Sequence, residues 1–162
     1  MGKALEEFSE KVDGPMLIVT TVAGGERSGC LVGYWTKCSV RPPRFAVCIS
    51  KKNHTFGVAM AAETLALHLI PKNEVELARL FGSETGDEID KFSRCGWSEG
   101  RGGVPILDDC PTHAICRIVD RTDVGDHVAL VTEPVEVTDG PEDDIFTHNM
   151  AREQRIEPGH PA

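Results

Sequence analysis

Two runs of β-branched residues, MLIVTTV (residues 16–22) and the glycine-interrupted SGCLVGYW (28–35), flank the five residues AGGER. This pattern constrains the chain more than any other. Short apolar runs rich in Val, Ile and Thr suit the pleated, half-buried surface of a sheet, and a short link bearing two glycines turns one run back on the next as a hairpin. The pattern recurs. FAVCIS (45–50) follows RPPR, where proline cannot donate to a ladder and so marks a strand's edge or entry. ETLALHLI (63–70) alternates as a strand does, and HAICRIVDR (113–121) and DHVALVTEPVEV (126–137) are joined through Thr122, Asp123, Val124 and Gly125. Strands in this number, with only short helices among them, predict a mainly β fold, a barrel or a sandwich.

The remaining segments fill in around the strands. KALEEFSEK (3–11) places Leu5 and Phe8 three apart among charges, which predicts a short amphipathic helix laid against the body and stopped by Asp13, Gly14 and Pro15. Residues 55–62 read as a helix, and Asn73 with Glu76 resembles a capping box opening EVELARLFG. Residues 83–105 hold five glycines, at 86, 96, 100, 102 and 103, and read as a long functional loop. The polar segment from Thr138 to Ala162 has too little apolar content for a core of its own, so the expected organisation is one domain over 1–137 followed by a tail or arm over 138–162.

Charge and motifs remove several function classes. A formal charge of -9, from 26 acidic against 17 basic residues, opposes a general role on nucleic acid or an anionic membrane surface, because both demand a positive field. No run approaches the length of a membrane span, and MGKALEEFSE lacks the apolar core of a secretory signal, so a cytoplasmic location is expected. The six cysteines include no CxxC, which encodes neither a zinc ribbon nor a dithiol redox pair; no metal site is expected, and Cys30, Cys38 and Cys48 read as small buried hydrophobes. HExxH, Walker and GxGxxG signatures are absent, as is any sign of a Ser–His–acid triad.

Three features carry candidate chemistry. Ser50, Lys51, Lys52, Asn53, His54 and Thr55 leave a buried strand and enter a short helix, where the positive end of the helix dipole, a lysine and polar side chains suit a phosphate. The same residues also suit a plain helix cap by Asn53 or Thr55 with solvated lysines. Gly29 and Gly33 would let a flat ring approach the backbone, bordered by Tyr34 or Trp35; glycines in strands equally mark bulges and barrel corners. Gly125, Asp126 and His127 deliver an imidazole at the start of the last long strand, suited to orienting a cofactor or exchanging a proton, or to a structural hydrogen bond.

In their order these pieces resemble the flavin reductase family, whose members are FMN-binding split β-barrels of Greek-key type. The resemblance spans about Pro15 to Val137. It rests on MLIVTT, SGCLVGYWTKCSVRPPRFAVCIS, KKNHT, then Asp90, Lys91 and Phe92 ahead of Trp97, GVPIL (103–107), and Gly125, Asp126 and His127. The resemblance implies an NAD(P)H:flavin oxidoreductase using FMN or FAD, with NADH or NADPH as electron donor. It places Gly33, Tyr34, Trp35, Thr36, Lys37, Cys38 and Ser39 along the isoalloxazine ring. Ser50, Lys52, Asn53, His54 and Thr55 fall at the ribityl phosphate, and Asp90, Lys91 and Phe92 beside the flavin, with Lys91 a candidate for stabilising the reduced ring. His127 lies at the flavin–nicotinamide face as the catalytic candidate. The family implies a homodimer whose cleft is shaped partly by the neighbouring subunit, and a monooxygenase as a possible acceptor of reduced flavin. The alternative is a non-enzymatic FMN-holding electron carrier or sensor. One departure is that Val32, Gly33 and Tyr34 stand where the family has small hydroxyl residues, which shifts ring contacts to backbone N–H groups. Phe146, Thr147, His148 and residues 155–160 read as an arm over a cleft, the chain's own or a partner's, or as a loose terminus.

Overall fold

The computed structural model describes residues 1–84, 89–141 and 144–157. Its strands are β1 (Leu17–Ala23), β2 (Glu26–Val32), β3 (Trp35–Val40), β4 (Pro43–Ser50), β5 (Thr64–Leu69), β6 (Trp97–Glu99), β7 (Pro105–Leu107), β8 (His113–Asp123) and β9 (His127–Thr138). Four α-helices accompany them: α1 (Gly2–Glu10), α2 (His54–Ala61), α3 (Val75–Ser83) and α4 (His148–Glu153). The mainly β expectation holds. Gly24 and Gly25, with φ of 57° and 79°, form the two-residue turn between the paired residues Ala23 and Glu26, the left-handed geometry that matches the twist of the flanking strands.

Seven strands form one antiparallel sheet in the order β2-β1-β5-β8-β9-β4-β3, while β6 and β7 pair separately. The two edges of the large sheet, β2 and β3, are consecutive in the chain and separated only by Gly33 and Tyr34. The sheet must therefore curl until its edges meet at that corner. Register shifts in β8, between Ile115 and Cys116 and between Ile118 and Asp120, supply bulges that bend the long β8–β9 ribbon. Because β2 and β4 are not hydrogen-bonded to each other, the barrel remains split along that line.

Strand alternation divides the interior into two cores. Leu17, Val19, Val32, Val47, Ile49, Leu65 and Leu130 fill the barrel. On the opposite face of β1, Ile18 joins Ile70, Leu77, Phe81, Phe92, Leu107 and Phe146 in a second core under α3. With both faces covered, LIVTT is buried throughout, and its polar members are satisfied: Thr20 donates to the Pro105 carbonyl and Thr21 to the Thr64 carbonyl.

Several local expectations change. The run 28–35 is not one strand but breaks at Gly33 and Tyr34, since those residues form the corner between sheet edges. The first helix forms yet buries nothing, leaving Leu5 58% and Phe8 68% exposed, so it is not laid against the body by an apolar face. No capping box opens α3: Glu74 occupies the cap position without a side-chain hydrogen bond, and Glu76 reaches Arg79 instead. Within 83–105, residues 85–88, and so Gly86, lie outside the described residues; from 89 onward the segment carries two 3-10 turns and β6, with β7 directly after it, not a bare loop. Phe92 organises this part, its ring edge-on to both Phe81 and Trp97 at 5.7 Å. Cys30 is buried as expected, but Cys48 is only half-buried, and Cys38, on the edge strand β3, is exposed.

Residues 144–157 run back over the body. Phe146 is fully buried and its N–H and C=O pair with Ile70 and Met16. Pro158 to Ala162 lie outside the described residues.

Candidate active site

The split between β2 and β4 is a cleft of about 380 Å³. Cys30, Leu31 and Val32 of β2 form one wall, and Cys48, Ile49 and Ser50 of β4 the other. Burial pushes both the Cys30 and the Cys48 thiol up from their ordinary value, so at neutral pH they line the walls as neutral groups without thiolate reactivity.

One end of the cleft lies at the N-terminus of α2. The chain leaves β4 at Ser50, the Ser50 hydroxyl accepts the Lys52 N–H at 3.3 Å, and Asn53 caps α2 by accepting the Thr55 N–H at 2.9 Å. Ser50, Lys52 and Asn53 all line the cleft. These residues carry a hydroxyl, an ammonium and an amide beside the positive end of α2, group types that fit a phosphate monoester. The opposite end of α2 is held by Arg121, whose guanidinium donates to the carbonyls of Ala59, at 3.2 Å, and Ala62.

His127 opens β9 directly beside Ser50 in the ladder. Its Nδ1 lies 2.7 Å from the Asp126 carboxylate, and this contact holds the Asp126 carboxyl below the usual carboxylate range. A carboxylate on Nδ1 selects the tautomer with its proton there and leaves Nε2 as the nitrogen available to a ligand. The exposed Tyr34 ring stands 5.3 Å from the imidazole at an interplanar angle of 52°. Tyr34 and His127 thus give the cleft a flat, aromatic flank with one polar nitrogen, a surface that fits a heteroaromatic ring.

Of the residues singled out in the sequence, Gly33, Tyr34, Ser50, Lys52, Asn53 and His127 meet in this cleft. Val32, Asp126, His148, Ile156 and Glu157, also named from the sequence, line it as well, while the other expected flavin contacts do not. His54 turns away to Glu26, at 2.7 Å, and the buried Thr55 hydroxyl is spent on Ser28, at 2.8 Å. Trp35, Thr36 and Lys37 border a second cleft of about 390 Å³ on the other side of Gly33, where Trp35 stacks near Phe45 and its Nε1 donates to the Pro15 carbonyl. Cys38 and Ser39 line neither cleft.

Asp90, Lys91 and Phe92 sit behind the β2 wall. Asp90 caps a 3-10 turn through the Phe92 N–H, and the buried Lys91 ammonium donates to the carbonyls of Gly29 and Phe81, each at 3.1 Å. Burial lowers the Lys91 pKa from its ordinary value. Its hydrogen bonds tie β2 to α3. Gly29 does not admit a ring either: a side chain there would meet the Phe81 ring at 2.8 Å, so the close approach that glycine permits is used by the core.

Sequence reasoning passed over other lining residues. Cys48 follows from strand alternation once Val47 and Ile49 are known to point into the barrel. Met16 and Gly82 carry no local signal. Gly82 lines the cleft where α3 meets the returning arm, and a side chain there would lie 2.9 Å from Ile156.

The fold and site are thus those of a split barrel with a cleft between β2 and β4. The family model described as "Flavin reductase like domain" matches residues 9–153, and the chain belongs to the flavin reductase-like family. The FMN reductase (NADH) RutF of Bradyrhizobium diazoefficiens is 29% identical over 113 residues, which cover 70% of this chain and 62%, less than two thirds, of that protein's length. Among solved structures, an FMN-binding protein from Thermus thermophilus superimposes with a TM-score of 0.75 at 28% identity, covering 80% of this chain and 72% of that one. Nitrilotriacetate monooxygenase component B from Mycobacterium thermoresistibile shares the fold, with a TM-score of 0.76 at 22% identity over 90% of this chain and 83% of that one. No helix among the described residues is long and apolar enough to cross a membrane.

Proposed function

We propose that the chain is a flavin reductase that takes hydride from a reduced nicotinamide, with NADH the first choice, and passes it to FMN or FAD. The observation that carries this reading is one cleft with a phosphate-type donor set at the α2 end and an Asp126-held imidazole beside an exposed aromatic ring along its flank. The relatives named FMN reductase (NADH) support the choice of nicotinamide. When bound, the flavin supplies the redox-active ring. Ser50, Lys52 and Asn53 hold its phosphate. Tyr34 shields the ring from water, and His127 orients the nicotinamide through Nε2. A homodimer, with reduced flavin handed to a monooxygenase, extends the reading; the fold shared with a monooxygenase component supports the second part.

The test is an absorbance spectrum of the purified protein, followed by additions of FMN or FAD and then NADH or NADPH. Flavin-dependent oxidation of the nicotinamide is the expected outcome. Flavin that stays bound through dialysis, with no nicotinamide oxidised by any pairing, would select an electron carrier instead, and absence of both binding and turnover would refute the flavin reading.

The anion end carries its own prediction. Asn53→Ala is expected to weaken FMN binding about tenfold, roughly the worth of one charge-assisted hydrogen bond, while changing riboflavin binding less than about twofold. Equal losses for both flavins in a fluorescence titration would show that Asn53 supports the helix and not the phosphate.

A further inference from the structure

The two clefts share Gly33 and His148. The imidazole of His148 packs on the Gly33 backbone so closely that a side chain at Gly33 would lie 2.6 Å from its Cε1. Along β4 the contact falls between the two clefts, the first running past Cys48, Ile49 and Ser50 and the second lying toward Phe45. His148 is therefore the end wall of the first cleft, and on its other side lies the aromatic second cleft with Trp35 and Phe45.

This wall is fixed from both sides. The His148 N–H donates to the Gly14 carbonyl and the Asn149 N–H to the Asp13 carboxylate, each at 3.0 Å. Immediately before it, Phe146 is anchored in the second core. Thr147 caps α4 by accepting the Met150 N–H, so the ring leaves an element held at its start by its own cap, by the Asp13–Gly14 segment and by the second core. The backbone that carries the imidazole is thus held in place.

We infer that His148 is a specificity-determining residue: it stops a flat ring seated from the α2 end at Gly33 and excludes ring systems extended beyond that point. The inference rests on the flavin reading. It explains why the chain has glycine at position 33, since any side chain there would expel the wall. It also gives the arm a task that neither core burial nor helix capping requires.

The experiment compares binding of FMN with that of two FMN analogues, one carrying a phenyl-sized substituent at N3 and one at position 8 of the ring, so that either ring edge can face Gly33. Affinities are read by absorbance and fluorescence titration. Wild type is expected to bind at least one analogue about tenfold or more weaker than FMN. In His148→Ala that gap should narrow to less than about threefold, with FMN itself little changed. Asp13→Ala, which releases the arm from a different segment, should narrow it in the same direction, and His148→Phe, which keeps a ring in place, should preserve it. A gap that persists in His148→Ala, a wild type without discrimination, or equal weakening of all three ligands in every variant would overturn the proposal. A wild type that binds no flavin at all would overturn the flavin reading and the proposal with it, a result distinct from each of the others.

Discussion

Replacing His127 with alanine is expected to slow flavin-dependent NADH oxidation about 100-fold while leaving the FMN dissociation constant within about threefold, because misplacing a reacting ring by an ångström costs rate far more than affinity. The imidazole stands at the mouth of the cleft with Nδ1 committed to Asp126, so what its loss removes is the directed Nε2 and not a wall. His127→Gln, which can present one polar atom in a similar place, should recover part of the rate. Stopped-flow reduction of bound flavin separates the two effects. Normal reduction kinetics in the alanine variant would reduce His127 to a flank for Tyr34.

The largest expected effect on stability belongs to a histidine remote from the cleft. His68 on β5 is fully buried; its Nδ1 donates to the Ile18 carbonyl at 3.0 Å and its Nε2 accepts the Leu107 N–H at 3.1 Å. One neutral ring thus joins β1, β5 and β7. His68→Leu would leave both backbone groups unpaired in the core, and a loss of about 2–4 kcal/mol at pH 7 is expected from denaturant unfolding. Burial pushes the His68 pKa down to about 4, with the nearby His113 acting in the same direction. A folded pKa below the unfolded value of about 6.5 means that the unfolded chain binds the extra proton, so this contribution is complete above pH 6.5 and is lost as pH falls toward 4. The wild type should lose about 3 kcal/mol from this group alone over that interval. The leucine variant lacks that titration, so its deficit against wild type should shrink on acidification; a constant deficit would refute the protonation account.

Much of the barrel was legible because its strands advertise themselves. The turn at Gly24 and Gly25, the proline-marked entry to β4 and the long ribbon ending in Val137 need only local pattern and turn chemistry. The anion seat was half legible for the same reason: a cap residue, a lysine and a hydroxyl lie within four positions. What stayed hidden depends on which distant segment covers a given face. Lys91 reads as a cation for the reduced ring until Gly29 and Phe81 are seen to accept from it, across 62 and 10 positions of sequence. Thr55 reads as a ligand until Ser28 takes its hydroxyl. The polar arm reads as readily loose as ordered because its apolar anchors, Phe146 and Ala151, gain their value only from a core built by β1, α3 and the segment around Phe92.

The link of Gly33 and Tyr34 has a mechanical consequence. From Val32 to Trp35 the chain takes three steps and can span at most about 11 Å, so the barrel edges are tethered at that end whatever happens elsewhere. At the α2 end Glu26 and Ser28 of β2 reach His54 and Thr55, so the split is tied at both ends, covalently at one and by breakable polar contacts at the other. Any breathing of the barrel is therefore expected to begin at the α2 end, beside Ser50 and Asn53.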